Sequence, residues 1–217
     1  MNDTEIIKET DWVESSEPLL KKYSGRKHPL DYKNRYELLV MVILAAQDSD
    51  KRINKIAPDF FKVYPTIMEL ANAQVEDIQK NISSIRSFRK KAIWLSKIAK
   101  VVGDDDKIPV ILPELVNLPG IGRKSANVIA RESGAEAYGI IVDLHVVRVV
   151  PRLGISESEN PDKIEKQLMN IFPKSTWNEI GMCFSFLGRE ICRPTNPQCP
   201  VCVMNRVCRY YRSRTEG

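Results

Sequence analysis

Apolar residues recur along this chain at helical rather than strand spacing. Ile53, Ile56, Ala57, Phe60 and Phe61 mark one stripe, Ile93, Leu95, Ile98, Ala99 and Val102 a second, and Ile164, Leu168 and Ile171 a third. Ala126, Ile129 and Ala130 begin a helix after Gly122, Val142, Val146, Val149 and Val150 predict another, and Ile180, Cys183, Phe184 and Leu187 one more. The stretch 36–46 is almost wholly apolar, and its Leu, Met and Ala content favours a buried helix over a strand. No segment alternates for long, and no two-residue turn joins two β-runs. The stripes are broken at Tyr64-Pro65-Thr66, Gly103-Asp104-Asp105-Asp106, Ile108-Pro109 and Glu159-Asn160-Pro161. Thr66 and Asn160 have N-cap chemistry, with Pro161 at a first helical position. The predicted fold class is all-α, built of many short helices without a fixed-period repeat.

Composition narrows this picture without redirecting it. The 217 residues are 43% hydrophobic and 28% charged, with a formal net charge of +5, which fits a globular chain of one large or two small domains and excludes disordered or fibrous classes. The charge is uneven. Between Lys80 and Lys100 stand seven basic residues and no acidic one, and from Phe186 to Gly217 six arginines stand against Glu190 and Glu216. One such cluster is ordinary solvated surface; two, the second interleaved with Tyr210 and Tyr211, favour phosphate contact. No apolar run nears the ~18–20 residues of a membrane span, and the N-terminus shows no signal-peptide pattern. The expected setting is the reducing cytosol or nucleoid.

Four motifs carry candidate chemistry. In Leu118-Pro119-Gly120-Ile121-Gly122-Arg123-Lys124-Ser125-Ala126, a Gly-x-Gly turn opens a small-residue helix, so that Gly120, Gly122 and Arg123 present backbone amides and positive charge to a phosphate. The alternative is a plain tight turn between helices. Lys124 could serve a phosphate, or act as an amine nucleophile on a sugar C1′. Asp143, in an apolar stretch at a helix start, reads alone as an N-cap; with Lys124 it could manage a proton or stabilise a sugar cation. His145 beside it reads first as a packed or capping histidine. Finally, Cys192-x6-Cys199-x2-Cys202-x5-Cys208 places four thiols within 17 residues. The single x2 hook and irregular spacing suit a cubane iron–sulfur cluster ahead of zinc, with disulfides behind both. Cys183, upstream on an apolar helix face, reads as a core cysteine.

Taken together, the hairpin motif, Val142-Asp143-x-His145, Leu187-Gly188-Arg189 before Cys192, the cysteine spacing, and Ala46-Gln47 with Ser49-Asp50 resemble the endonuclease III family of helix-hairpin-helix DNA glycosylases, over about residues 28–210. The resemblance implies a two-domain all-α fold. A six-helix barrel would span 28–137, and 1–27 with 138–217 would form a helical domain holding a [4Fe-4S] cluster on the four cysteines. It implies a monomeric enzyme of base excision repair acting on double-stranded DNA with damaged bases or abasic sites. Lys124 would attack C1′, Asp143 would support it, and β-elimination would follow base loss. Gln47, which without the family reads as a polar residue ending a helix, would fill the gap left by a flipped base.

The chain departs from the family at the loop that wedges into DNA. Arg86-Ser87-Phe88 stands where the family has Gly-Leu-Tyr, so Ser87 occupies the wedge position and Arg86 or Phe88 would have to take over that role. Leu144 replaces a threonine beside Asp143, and Ala45 a serine before Ala46-Gln47. These changes leave open a same-fold glycosylase for a mismatched pyrimidine or an oxidised purine. The rival from another class is a non-catalytic DNA-damage-binding module, which would not need Asp143.

Overall fold

The computed structural model describes residues 10–215. Residues 1–9 and 216–217 lie outside them, and with them most of the stretch searched for a signal peptide and the tips of the domain expected at 1–27 and 138–217. The described residues are helical and contain no strand. They fall into two compact units, one of residues 27–136 and one in which the N-terminal segment joins residues from 137 onward.

Within 27–136 the helices are α3 (Arg35–Ala45), α4 (Asp50–Val63), α5 (Ile67–Asn72), α6 (Val75–Asn81), α7 (Phe88–Val102), the single turn α8 (Leu112–Leu115) and α9 (Arg123–Glu132). The nearly unbroken apolar run becomes α3. Asn34 caps it by accepting the Glu37 N–H at 2.8 Å, and eight of the nine side chains from Tyr36 to Leu44, all but Glu37, are buried. A helix apolar all round has to be central, and α3 packs against α4, α7 and α9. The end of α3, the start of α7 and the start of α9 carry Gln47, Ser87 and Lys124.

The other unit contains α1 (Trp12–Ser15), α2 (Glu17–Tyr23), α10 (Leu144–Leu153), α11 (Pro161–Ile171), α12 (Trp177–Glu190) and α13 (Arg209–Thr215). Helix α12 is its axis: Ile180 to Gly188 are all buried, and it packs against α2 and α10. Its glycines are needed for close approach. A Cβ on residue 188 would stand 2.8 Å from His145 Cβ and 3.0 Å from Val149 Cγ2, inside van der Waals contact. Cys183 lies in this core, fully buried. Two local readings shift. Val142 precedes α10 rather than joining it. The Thr66 hydroxyl turns to the Glu69 carboxylate instead of capping an amide, whereas Asn160 caps α11 through the amides of Asp162 and Lys163.

Candidate active site

Lys124 is the second residue of α9. The five residues Ala126 to Ala130 are buried while Arg123 and Lys124 are exposed. A small-residue face therefore seats the helix against α3 and leaves its first turn in solvent. Gly122 is the N-cap and brings no side chain to the first amides, so the turn stays open to an anion. Gly120 has φ 83°, and a Cβ there would stand 2.6 Å from Trp94 Cδ2. Only glycine meets both conditions. Leu118 and Ile121, both buried, pin the hairpin, and Ile121 N–H donates to the Leu118 carbonyl at 3.1 Å.

Gln47 and Ser87 lie on the same unit, and both are exposed. Both adopt the left-handed region, with φ 60° and 58°. For a non-glycine residue this costs roughly 1–2 kcal/mol, so the surrounding contacts must hold each in place. Asp48 supplies one such contact: one carboxylate oxygen accepts the Ser49 N–H at 2.9 Å, the other the Arg86 N–H at 3.3 Å. Lys91 supplies another. Although charged, it is only 2% exposed, and its Nζ donates to the carbonyls of Leu44 (2.8 Å) and Ala46 (2.7 Å) at the end of α3. Burial pushes its ammonium below the ordinary lysine range, against the opposing pull of Asp48. Arg52 also donates to the Ser84 carbonyl. Phe88, beside Ser87, is the half-buried first residue of α7, with the Arg89 guanidinium 5.3 Å from its ring centre.

In the other unit, Asp143 is the N-cap of α10. One oxygen accepts the amides of His145 (2.8 Å) and Val146 (3.0 Å). The other accepts the Ser185 hydroxyl at 2.7 Å and lies 3.4 Å from the Arg189 guanidinium. Its side chain is 9% exposed. Burial pushes the carboxyl up, but the Ser185 hydroxyl, the Val146 amide and the charges of His145 and Arg189 outweigh it and hold the group below the ordinary aspartate range. Asp143 is therefore a carboxylate at neutral pH. His145 is partly buried, its Nδ1 3.3 Å from an Arg148 nitrogen. Leu144, between them, is 70% exposed.

The four cysteines of the C-terminal loop line one cavity, together with Val149, Leu153, Leu187, Ile191 and Tyr210. All are free of disulfide bonds. Burial pushes the Cys202 thiol up to about 11, and Cys208, Cys192 and Cys199 add to the shift; Cys208 moves the same way. A quartet of thiols with these walls ionises together only around a cationic group. Among the described residues no set of His, Cys, Asp and Glu closes into a ready metal-ion site. The donor chemistry, four thiols with no carboxylate or imidazole in the lining, fits an iron–sulfur cluster. Arg148 and Arg152, one turn apart on α10, fasten the loop. Arg148 Nε donates to the Cys192 carbonyl (3.0 Å), and Arg152 donates to the Arg193 carbonyl (2.8 Å) and lies 3.5 Å from the Cys192 sulfur.

Several of these residues escape a reading of motifs. Lys91 sits among basic neighbours that look like one solvated face. Its phase is the available signal, because it falls on the stripe of Ala92, Leu95, Ile98 and Ala99 rather than opposite it. Trp94 under the hairpin and Ser185 beside Asp143 leave no such mark. Arg189 is legible only as part of Leu187-Gly188-Arg189.

Known proteins resemble this chain in both sequence and fold. Residues 40–174 match the profile described as HhH-GPD superfamily base excision DNA repair protein. The chain is 34% identical over 192 residues to endonuclease III of Synechocystis sp., covering 88% of each. It is 32% identical over 196 residues to that of Thermotoga maritima, covering 88% of this chain and 92% of the relative. A solved non-covalent endonuclease III–DNA complex superposes with a TM-score of 0.83 at 32% identity over 100% of both chains. Profile, relatives and fold coincide: this chain belongs to the endonuclease III family within the HhH-GPD superfamily.

Proposed function

We propose that this DNA glycosylase and abasic-site lyase of base excision repair works through Lys124 as nucleophile and Asp143 as its supporting carboxylate, on duplex DNA carrying a damaged pyrimidine. The observation that carries the reading is Lys124 itself, an exposed amine on the first turn of a helix whose next face is buried. A structural lysine would not need that placement. The Lys124 nitrogen forms a bond to C1′ as the glycosidic bond breaks, and the base leaves with the electron pair and a proton. Proton transfer to O4′ then breaks the C1′–O4′ bond and opens the sugar to an iminium, which acidifies C2′; loss of that proton expels the 3′ phosphate. Asp143, ionised and held from three sides, offers negative charge to the sugar cation and a site for the transferred proton. A solved trapped endonuclease III–DNA covalent intermediate aligns at TM-score 0.83 and 32% identity, which supports a covalent route here. Gly120, Gly122 and Arg123 would hold backbone phosphate, while Gln47, Arg86 and Ser87 would enter the duplex, with His145 near the DNA from the other unit. Residues 28–137 would be the barrel, and 1–27 with 138–217 the cluster domain.

Cys192, Cys199, Cys202 and Cys208 would hold a [4Fe-4S] cluster, which supplies a rigid, redox-competent anchor for the C-terminal loop. The purified protein is expected to be yellow-brown, with broad absorbance near ~400 nm from thiolate-bound iron, and Cys202→Ala to lose most of it. A colourless protein with stoichiometric zinc would contradict the assignment.

Leu144 favours a second reading on lesion choice. An aliphatic side chain 70% exposed beside Asp143 offers apolar contact where a threonine would offer a hydrogen bond, and so admits a mismatched pyrimidine or oxidised purine. No described helix is long and apolar enough to cross a membrane. The test is a panel of duplexes with thymine glycol, dihydrouracil, uracil, oxidised guanine or an abasic site opposite each base. Base release with strand cleavage at oxidised pyrimidines is expected. Cleavage confined to oxidised guanine would move the chain to the second reading, and binding without turnover to a damage-sensing module.

A further inference from the structure

We infer that Asp48, together with Lys91, is a positioning device that locks the Gln47 and Ser87 loops into one preformed edge for entering DNA. The inference rests on the functional reading above, which assigns Gln47, Arg86 and Ser87 to the duplex.

Gln47 and Ser87 are two of three non-glycine residues with positive φ among the described residues, and they lie forty positions apart in sequence. Each is exposed, so neither owes its backbone conformation to burial of its own side chain. Their neighbours hold it instead. Asp48, directly after Gln47, reaches across to the Arg86 amide, directly before Ser87, at 3.3 Å. Its second oxygen accepts the Ser49 amide and so fixes the side chain in that orientation. From below, Lys91 crosses back the other way. Its backbone amide donates to the Ser87 carbonyl at 3.1 Å, and its ammonium donates to the Leu44 and Ala46 carbonyls that end α3. Arg52 adds a third tie to Ser84. Each loop is thus tethered to the other on both sides of its left-handed residue.

The device has a chemical reason in this chain. Ser87 is too small to wedge a base stack by bulk, and its neighbour Phe88 is half-buried at the start of α7, so the edge does not rest on one freely exposed large apolar side chain. An edge with little bulk must be placed beforehand, because the ordering cost of two loops would otherwise fall on the flipping step.

The test compares the full-length parent with Asp48→Ala and Lys91→Met on two substrates under single turnover. One is a duplex with a damaged pyrimidine, which has to be opened. The other is a single-stranded abasic oligonucleotide, which does not. Thermal unfolding is followed alongside, and 2-aminopurine opposite the lesion reports disturbance of the stack. For Asp48→Ala at an unchanged melting temperature, duplex excision is expected to fall at least about tenfold. Cleavage of the single strand should stay within about twofold and the 2-aminopurine response should be lost. Lys91→Met should show the same imbalance between substrates even if it melts lower. Equal loss on both substrates, or an unchanged duplex rate in Asp48→Ala, would overturn the inference. A parent that cleaves neither substrate would instead overturn the functional reading, and the inference with it.

Discussion

Lys124→Ala is expected to lower strand cleavage at an abasic site by at least about 10³-fold, since no second amine takes over an absent nucleophile at comparable rate. Binding should weaken far less. One exposed cation contributes about one counterion to the salt dependence, so affinity should drop by no more than roughly tenfold at moderate salt. Stability should be unchanged, because the side chain is exposed while the buried face of α9 begins at Ala126. The check is a cleavage rate under single turnover together with a binding isotherm on the same duplex. A loss of binding as large as the loss of cleavage would reduce Lys124 to a phosphate contact.

Asp143→Asn should cut excision by about 10²–10⁴-fold and also destabilise the protein, for separable reasons. Asparagine caps a helix as well as aspartate does, so the bonds to the His145 and Val146 amides can survive. The oxygen that meets the Ser185 hydroxyl and Arg189 cannot be matched by a neutral amide. Losing that charge in a largely buried position should cost about 1–2 kcal/mol. The acid dependence has a definite sign. The folded carboxyl sits below its ordinary value, so its contribution is full above the unfolded value of about 3.9 and vanishes as pH falls through the lower folded value. The stability gap between parent and variant should therefore be present at pH 7 and close in stronger acid. A gap that persists unchanged at pH 2 would point to lost packing rather than lost charge.

Much of the fold is written in the hydrophobic stripes. The apolar run at 36–46 has one stable place, the centre of a helical unit, and α3 occupies it. The hairpin, the aspartate and the four cysteines are equally legible, because each needs particular residue types at particular local spacings. Contacts that join distant segments are not. Lys91 meets Leu44 and Ala46 across more than forty residues, Asp48 meets Arg86, and Trp94 meets Gly120. Charge misleads at Lys91, where a basic run hides one buried ammonium. Asp143 joins both readings offered by its sequence context, since the bonds that make it a cap also fix the carboxylate proposed to act at the sugar.

The central claim is that one amine of this chain becomes covalently attached to the sugar. The direct measurement is to reduce the reaction with borohydride on an abasic-site duplex, digest the trapped complex with trypsin and map the adduct by mass spectrometry. A sugar-derived mass is expected on Lys124, in the peptide running from Lys124 to Arg131. Base release and strand cleavage with no trapped adduct, or an adduct mapped to another residue, would contradict it.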